Sequence, residues 1–330
     1  MSSLHPAVAE VRVAVRRTLT AIKAEAGQDS LVLVACSGGP DSMALAAATS
    51  FVAPRVGLRA GLVTVDHGLQ EGSAERAADI GAWAAQQGFN PVEVIAVEVG
   101  TKGGPEAAAR EARYAALDDA VERHSAVAVL LGHTRDDQAE TVLLALARGA
   151  GLRGLAGMPP RRGPYHRPFL ELPRAVTAEA CTALGLKPWR DPHNSDPAYT
   201  RARVRALLPT LQEALGPGFV ANLARTARLA AADADVLDRI AARALVRAMK
   251  DQHSLDVETL AREPDAIRGR ILHGWARRLG APGSALSARH VEALDALVTA
   301  WRGQGPVYLP GGIQVRRVAG CLRAALPAAT

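Results

Sequence analysis

The sequence predicts an α/β fold: an open parallel sheet with helices on both faces, followed by a smaller, mainly helical domain with a short terminal β-hairpin. The first observation is that short apolar, β-branched runs alternate with helical segments early in the chain, as in right-handed βαβ crossovers. The second is that the unusual Gly, Asp and His clusters all follow those runs. Ligands of such sheets bind beyond the carboxyl ends of the strands, so we expect the binding site there.

The first unit of the pattern is a helix, a strand and a second helix. Residues 8–26 are amphipathic, with apolar side chains recurring among charged ones. Residues 31–36 are wholly apolar, which is typical of a strand buried on both faces of a parallel sheet. Residues 37–42 join that strand to a helix over 43–49. Three more units follow, with strands at 58–65, 92–99 and 126–131 and helices at 73–87, 105–124 and 136–148.

After these units the chain becomes irregular and then helical. Residues 149–173 are rich in Gly, Pro and Arg, as loops are, and residues 188–205 are irregular and polar, with a short helix expected between them at 177–184. We place a domain boundary near residue 212, which separates 1–212 from 213–330. In the second domain we expect helices at 218–250, 256–279 and 287–302, and a hairpin of strands 307–309 and 313–322.

Composition argues against several classes of protein. Cys36, Cys181 and Cys321 are isolated, so neither a disulfide framework nor a zinc or iron–sulfur site is expected. No run of about 18 apolar residues occurs, and the start lacks the apolar segment of a signal peptide. These features predict a cytoplasmic protein without a membrane partner.

Charge is distributed unevenly along the chain. Residues 1–200 carry a net charge of −2, whereas residues 201–330 carry +8. One interpretation is a polyanionic partner such as RNA, because phosphate contacts supply affinity that does not depend on sequence. The other is a solubilising surface, and charge alone does not separate the two.

The segment SGGPDS, between the first strand and its helix, carries the strongest chemical signal. Its glycines let the backbone approach an anion, and the N–H groups of the turn and the helix start point at it together. A carboxylate repels phosphate unless a divalent cation lies between them, so Asp41 is interpreted as a Mg²⁺ ligand. An ordinary turn with a serine helix cap is the alternative. The candidate nucleotide-binding residues here are Ser37, Gly38, Gly39, Pro40, Asp41 and Ser42.

Neither a Walker A loop nor a GxGxxG fingerprint stands at this position. SGGPDS instead resembles the PP-loop of the N-type ATP pyrophosphatases, an adenine nucleotide α-hydrolase-like superfamily with a parallel sheet. The resemblance implies that ATP is the co-substrate, that the loop binds its β and γ phosphates, and that AMP is transferred to a substrate oxygen.

Further segments resemble the tRNA(Ile) lysidine synthetase family. They are VDHGL at 65–69, GHTRDDQAET at 132–141, RGAGL at 148–152 with GLAGM at 154–158, RPFL at 167–170, DPHNSD at 191–196 and YTRARVR at 199–205. Ala202 departs from the family, which often has Asn there. The resemblance implies that ATP adenylates the C2 oxygen of the wobble cytidine in the CAU anticodon of tRNA(Ile), and that free L-lysine then displaces AMP. Family precedent also suggests a homodimer.

The resemblance also implies roles for individual side chains. Arg113 would stabilise the transition state at the α-phosphate, although a solvated arginine on an amphipathic helix is the alternative. Asp137 and Glu140 lie three residues apart on one helix face and would bind the lysine ammonium and accept its proton. The alternative for these acids is a capping box that begins at Thr134. The two remaining candidates, placed near the nucleotide, are His67 and His133.

Eight arginines are candidates for RNA contact. Single-stranded RNA is held by stacking on guanidinium planes and aromatic rings, with phosphate contacts beside them. Five of the arginines follow the site directly, and three alternate near the end of the first domain, where an extended chain would place them on one face. A basic surface loop is the alternative. They are Arg148, Arg153, Arg161, Arg162, Arg167, Arg201, Arg203 and Arg205.

Two other functions stay open from sequence alone. Another PP-loop enzyme, either a tRNA thiolase or an amide synthetase, would share the loop. A thiolase would be expected to carry paired cysteines, and an amide synthetase gives no reason for the basic C-terminal part. A non-catalytic RNA-binding protein with an inactive loop is the second rival, although Asp41, Arg113 and both carboxylates are present.

Overall fold

A computed structural model of the chain describes residues 4–68, 70, 72–100, 104–189, 196, 198–283 and 285–327. By their contacts, residues 1–231 and 232–330 form two compact units. The boundary near residue 212 stays a prediction about where the folding units separate. No helix in the described ranges has an apolar stretch long enough to cross a bilayer.

The first unit is built on the predicted parallel sheet. Its elements begin with α1 (Pro6–Ala26), β1 (Leu31–Ala35), α2 (Pro40–Val56), β2 (Arg59–Asp66), α3 (Ser73–Gln86), β3 (Val92–Ala96), α4 (Pro105–His124), β4 (Ala128–Leu131) and α5 (Arg135–Ala147). Strands β1 to β4 are parallel in the order β3-β2-β1-β4. The predicted fold class is therefore confirmed, and all four predicted strands are present.

Burial on both faces explains why β1 is wholly apolar. Val32 and Val34 belong to the core that α1, α2 and α7 (Arg174–Ala183) cover, whereas Leu31 and Leu33 belong to the core beneath α4. Successive strand residues point to opposite faces, so a strand with helices on both sides has no solvent-facing position for a polar residue. Polar residues therefore appear in the sequence only after β1 has ended.

The segment predicted as loop over 149–173 contains regular structure. It holds α6 (Leu152–Leu155), β5 (Arg161–Arg162) and β6 (Tyr165–His166), and β6 extends the sheet by pairing parallel to β4. Strands of two residues leave no periodic pattern in the sequence. Buried Gln138 anchors the segment: its amide nitrogen donates to the Met158 carbonyl at 2.9 Å and its amide oxygen accepts from the Met158 N–H at 2.7 Å.

The prediction of irregular chain up to residue 205 is wrong from residue 200 onward. Helix α8 spans Thr200–Leu215, so Arg201, Arg203 and Arg205 lie on a helix and not on an extended chain. At 3.6 residues per turn, Arg201 and Arg205 share a face and Arg203 points away from them. Val204, Leu207 and Leu208 give the middle of α8 a helical spacing of apolar residues. The first turn of the helix is polar, so the sequence does not show where the helix begins.

The second unit combines helices with an antiparallel sheet. Its elements are the part of α9 (Phe219–Ala248) from residue 232 onward, β7 (Met249–Asp251), β8 (Ser254–Asp256), α10 (Val257–Ala261), α11 (Asp265–Arg278), α12 (Ala288–Thr299), β9 (Val307–Leu309), β10 (Ile313–Val318) and β11 (Cys321–Ala325). The sheet order is β7-β8-β11-β10-β9, so the predicted terminal hairpin is part of five strands. The single strand predicted over 313–322 is instead divided between β10 and β11. Ala319 and Gly320 separate them, and both have positive φ, as in a tight hairpin turn.

We predict that Leu19→Ala lowers the free energy of unfolding of the first unit by about 3 kcal/mol. Leu19 on α1 is fully buried in the core against α2 and α7, so truncation leaves a cavity. The matched control is Val13→Ala on the same helix, whose side chain is 66% exposed and whose loss costs little. Denaturant unfolding followed by circular dichroism measures both, and equal effects would contradict the packing described here.

Candidate active site

The SGGPDS segment forms a turn that opens onto the N-terminus of α2. Gly39 precedes the helix, Pro40 is its first residue, and no side chain among the described residues caps it. The first N–H groups of a helix lack intrahelical partners and carry partial positive charge, so they are available to an anion. Gly38 has a φ of +81°, and a Cβ there would lie 2.8 Å from Ile80 Cδ1. The positive φ favours glycine, and any larger residue would also require the Ile80 side chain to shift.

Ser42 stabilises the turn from inside. Its hydroxyl donates to the Gly39 carbonyl at 2.9 Å and accepts from the Ser37 N–H at 3.2 Å. The side chain is 6% exposed, which leaves it little access to a ligand. The Ser37 hydroxyl lies 3.3 Å from that of Ser42 and lines the cavity above the turn. The contacts of Ser42 therefore stabilise the shape of the loop, and a contact between Ser42 and the nucleotide stays a prediction.

A cavity of about 1030 Å³ lies beyond the carboxyl ends of β1, β2 and β4. It is the place where a parallel sheet of this kind binds ligands. The sequence-predicted residues that line it are Ser37, Gly38, Gly39, Pro40, Asp41, Ser42, His67, Arg113, His133 and Arg205.

Close packing brings β4 against the loop. Gly132 follows β4, and a Cβ at that position would lie 3.0 Å from the carbonyl carbon and oxygen of Asp41 and 3.1 Å from the Ser42 nitrogen. These are backbone atoms of the first turn of α2, which cannot rotate away as a side chain does. The absence of a side chain at Gly132 is therefore what lets the loop occupy its position.

Three carboxylates and two arginines form a cluster beside the loop. Arg174 Nη2 lies 2.6 Å from Asp137 Oδ1 and 3.1 Å from Glu140 Oε1, and its Nε lies 3.6 Å from Asp41 Oδ2. Arg205 Nε lies 2.8 Å from Glu140 Oε1, and its Nη2 lies 3.5 Å from Asp137 Oδ1. The two guanidinium groups thus offset most of the negative charge of the three acids.

Asp41 lies at the first turn of α2 and is partly buried. Burial raises its pKa to about 6, while a hydrogen bond from the Thr177 hydroxyl and the charge of Arg174 act in the opposite direction. The carboxyl group is therefore partly protonated just below neutral pH. Near the phosphate site, such a group can bind a cation when it is ionised.

Asp137 takes part in two interactions at once. Its Oδ2 accepts from both the N–H and the hydroxyl of Thr134 at 2.8 Å, which closes a capping box at the start of α5. Its Oδ1 faces Arg174. Burial alone would raise the pKa of Asp137, but the charge of Arg174 and the hydrogen bond from the Thr134 N–H lower it by more. The pKa is therefore below its usual value and the group stays ionised. The capping interpretation is therefore correct, and it leaves one oxygen for a ligand.

The two candidate histidines are neutral and have a free ring nitrogen within the described residues. Nδ1 of His67 and Nδ1 of His133 are buried without a hydrogen-bond partner. Burial lowers both pKa values, that of His133 to about 3, with nearby arginines acting in the same direction. A neutral ring can donate or accept a hydrogen bond from a bound molecule, but it is a weak base at neutral pH.

Arg113 presents positive charge to the cavity from α4. No carboxylate of the described residues pairs with it, and burial together with Arg110 lowers its pKa. A guanidinium remains charged despite such a shift, because its ordinary pKa lies far above neutral pH. Unbalanced positive charge on a cavity wall attracts an anionic ligand.

The arginines predicted to bind RNA differ in exposure. Arg148, Arg153, Arg161 and Arg162 are exposed, and Arg161 is paired with Glu25 at 2.5 Å. Arg167 is 5% exposed, and its Nη1 donates to the Pro159 carbonyl at 2.8 Å, which ties it to the segment that Gln138 anchors. RNA contact by this set stays a prediction.

Sequence reasoning missed three residues of the site. Arg174 and Thr177 contact the carboxylates, and the Trp189 N–H donates to the Gly38 carbonyl at 2.9 Å. The short helix was predicted to start at 177 but begins at Arg174, where a cation opposes the helix dipole. That local conflict was a signal that Arg174 has acidic neighbours. Two of the segments that resemble the family lie partly outside the described residues. These are DPHNSD, of which residues 191–195 are outside, and VDHGL, of which residue 69 is outside.

Two family models match different parts of the chain. A family model described as a PP-loop domain matches residues 11–211, and one described as a TilS substrate binding domain matches residues 255–323. A solved U34-tRNA thiolase from Methanococcus maripaludis superposes with a TM-score of 0.55 over 68% of this chain and 80% of its own. At 19% identity, that likeness shows a shared fold.

Full-length relatives are much more similar. A tRNA(Ile)-lysidine synthase from Salinispora arenicola is 62% identical over 98% of this chain and 97% of its own. One from Thermobifida fusca is 59% identical over 96% and 97% of the two chains. One from Mycobacterium tuberculosis is 47% identical over 86% of each.

We predict that Gly132→Ala weakens ATP binding by about tenfold or more, equivalent to about 1.4 kcal/mol. The added methyl group meets the backbone of Asp41 and Ser42 and displaces the loop. Isothermal titration with ATP measures the change, and thermal unfolding checks that the fold persists. Gly151→Ala is the matched control, because a Cβ there meets nothing within 4 Å. Unchanged affinity in Gly132→Ala would show that the loop does not depend on this contact.

Proposed function

This chain belongs to the tRNA(Ile)-lysidine synthase family, and we propose that it joins free L-lysine to C2 of the wobble cytidine in tRNA(Ile) with a CAU anticodon. It is an ATP-dependent ligase that modifies tRNA by forming a carbon–nitrogen bond. The observation that carries the finer proposal is the cavity itself. There, an anion-binding loop meets Arg113, which pairs with no carboxylate of the described residues, and Arg174 and Arg205, which contact Asp137 and Glu140 beside the cavity.

ATP would bind with its β and γ phosphates on the turn of Ser37–Ser42. The free N–H groups at the start of α2 support this placement, because they suit phosphate oxygens. Asp41 would hold Mg²⁺ on the pyrophosphate. A single carboxylate suits Mg²⁺, since that ion commonly takes one or two carboxylates and completes its shell with phosphate and water. Bound Mg²⁺ offsets the charge of the departing pyrophosphate.

The first step would be attack of the cytidine C2 oxygen on the α-phosphorus. The oxygen–phosphorus bond forms, the bond to the bridging oxygen breaks and pyrophosphate leaves. Arg113 would stabilise the charge that develops on the α-phosphate. Its position on the cavity wall and the lack of an acidic partner among the described residues support this role. His67 and His133 would make hydrogen bonds to the nucleotide as neutral rings, and the low pKa of His133 argues against a role as base.

In the second step the lysine amine would attack C2, and AMP would leave with the former C2 oxygen. Asp137 and Glu140 would orient the ammonium and take its proton, which their joint position on α5 supports. Glu140 has no exposed surface, and both of its oxygens face arginines. Entry of lysine would therefore require that Arg174 or Arg205 give up part of its contacts.

The tRNA would be held by arginines outside the cavity. Exposed Arg148, Arg153 and Arg162 are the best placed, since their guanidinium groups can stack on bases or bind phosphates. Arg161 would first have to leave Glu25, and buried Arg167 would act through the loop that it stabilises. Among the arginines of α8, Arg203 is exposed, whereas Arg201 and Arg205 are half-buried.

The rival functions have less support. The thiolase likeness rests on fold alone. Cys36 and Cys181 are free thiols buried in the apolar core of the first unit. A non-catalytic RNA-binding protein gives no reason for the buried charge cluster beside a phosphate site. We place the enzyme in the cytoplasm, with its tRNA and ATP, and propose a homodimer, for which light scattering after gel filtration is the test.

We predict that incubation with ATP, Mg²⁺, isotope-labelled lysine and a tRNA(Ile) transcript bearing CAU converts the wobble cytidine to a lysine adduct. AMP and pyrophosphate should form in equal amounts. Mass spectrometry of the nucleosides identifies the product, and a transcript with uridine at the wobble position is the control. Unchanged cytidine, or ADP as the nucleotide product, would contradict the proposed reaction.

We predict that Mg²⁺-dependent ATP binding weakens as pH falls through about 6. The raised pKa of Asp41 means that the carboxyl is ionised above this pH and protonated below it, and only the ionised form binds a cation. Each pH unit below 6 should cost up to about tenfold in affinity. Titrations between pH 5 and 8 measure it, and Asp41→Asn should remove this dependence. A wild-type profile that matches the variant would contradict the metal role.

A further inference from the structure

Arg174 contacts the phosphate loop and the carboxylates of α5 with a single guanidinium. Its Nε faces Asp41 at 3.6 Å, and its Nη2 faces Asp137 at 2.6 Å and Glu140 at 3.1 Å. Asp41 belongs to the proposed cation and pyrophosphate site, whereas the other two acids form the proposed lysine site. The positive charge of Arg174 is therefore shared between the proposed cation site and the proposed lysine site.

The structure holds Arg174 at this point against the preference of its own helix. It is the first residue of α7, where a cation opposes the helix dipole. Its backbone N–H donates to Asp136 Oδ2 at 2.8 Å, which ties the start of α7 to the first turn of α5. The side chain is 24% exposed, so its charge is only partly screened by water. The neighbouring acids offset the unfavourable placement.

An incoming ammonium group must compete with this guanidinium. Glu140 Oε1 accepts from Arg174 at 3.1 Å and from Arg205 at 2.8 Å, and its Oε2 accepts from Arg205 at 3.4 Å. Asp137 Oδ2 is taken by the capping box, so Oδ1 is the oxygen that remains for a ligand, and Arg174 faces it. The strength with which Arg174 holds the acids of α5 therefore sets how easily an amine replaces it.

We propose that Arg174 is a positioning residue that makes the cation site and the amine site compete, so that lysine is admitted after pyrophosphate has left. A divalent cation on Asp41 would neutralise that carboxylate and repel Arg174, which would then pair with Asp137 and Glu140 alone. Once pyrophosphate and its cation depart, Asp41 would again share the guanidinium, and the acids of α5 would accept the amine. This inference rests on the proposed function.

Arg205 provides an internal comparison. It contacts Asp137 and Glu140, as Arg174 does, and its ion pairs within the described residues are both with acids of α5, although its charge also acts on Asp41 at longer range. Removal of Arg205 should therefore alter lysine affinity with a smaller change in how that affinity responds to the nucleotide than removal of Arg174 causes. Removal of Arg174 should alter the response itself. A purely structural role for Arg174 would affect both measurements in the same proportion.

The experiment is a binding cycle on the full-length protein. Lysine affinity is measured by isothermal titration with and without Mg²⁺ and an ATP analogue that carries a methylene group between the α and β phosphorus atoms. The ratio of the two dissociation constants is the coupling factor. It is compared among wild type, Arg174→Gln, Arg174→Lys and Arg205→Gln, each checked for folding by thermal unfolding.

We expect the nucleotide to weaken lysine binding to wild type, and Arg174→Gln to reduce the coupling factor by about fivefold or more. Arg174→Lys should keep part of it, because an ammonium carries the same charge without the fork. Arg205→Gln should keep most of it, because Arg205 acts on Asp41 only at longer range. If wild type binds lysine with no such coupling, or if Arg174→Gln retains it, the inference fails and the proposed function stands. If wild type binds no lysine in either condition, the lysine pocket and the inference fall together.

Discussion

Carboxylates buried close together are stable only if positive charge lies among them, and the site of this protein is organised by that constraint. Asp41, Asp137 and Glu140 come from two different helices, and their negative charges repel one another. Arg174 and Arg205 remove the conflict, with Nη2–Oδ1 and Nε–Oε1 distances of 2.6 and 2.8 Å. The compensation fixes the starts of α2, α5 and α7 relative to one another. It thereby places a phosphate-binding turn next to an acidic pocket.

The parallel sheet and its order of helices could be predicted from sequence because their cause is local and repetitive. Each buried strand is a short run without polar residues, and each helix has an apolar face, so periodicity alone reveals them. The same reasoning failed for β5 and β6, which consist of two residues each. It failed again at the start of α8, where polar residues precede the apolar ones. In both places tertiary contacts decide the structure, and no pattern along the chain records them.

Some residues of the candidate site could also be predicted from sequence, and others could not. Glycines with positive φ and acids at helix starts can be recognised along the chain, so the loop, Asp41 and Asp137 were all found. Arg174 and Thr177 were not, because their importance comes from residues more than 30 positions away in sequence. Glu140 was found, but its complete burial was not foreseen. Charge compensation is a three-dimensional property, and sequence shows it only where a residue conflicts with its local setting.

The two oxygens of Asp137 do different work, and this limits what can replace it. One oxygen accepts from Thr134 and fixes the first turn of α5, and the other faces a guanidinium. Asparagine has nearly the same shape but only one oxygen. If that oxygen kept the helix start, the amide NH₂ would point at Arg174, donor against donor. The position is thus constrained from two directions, by the architecture of a helix and by the charge of a pocket. Isosteric replacement would uncouple them and leave a well-folded protein with a mismatched site.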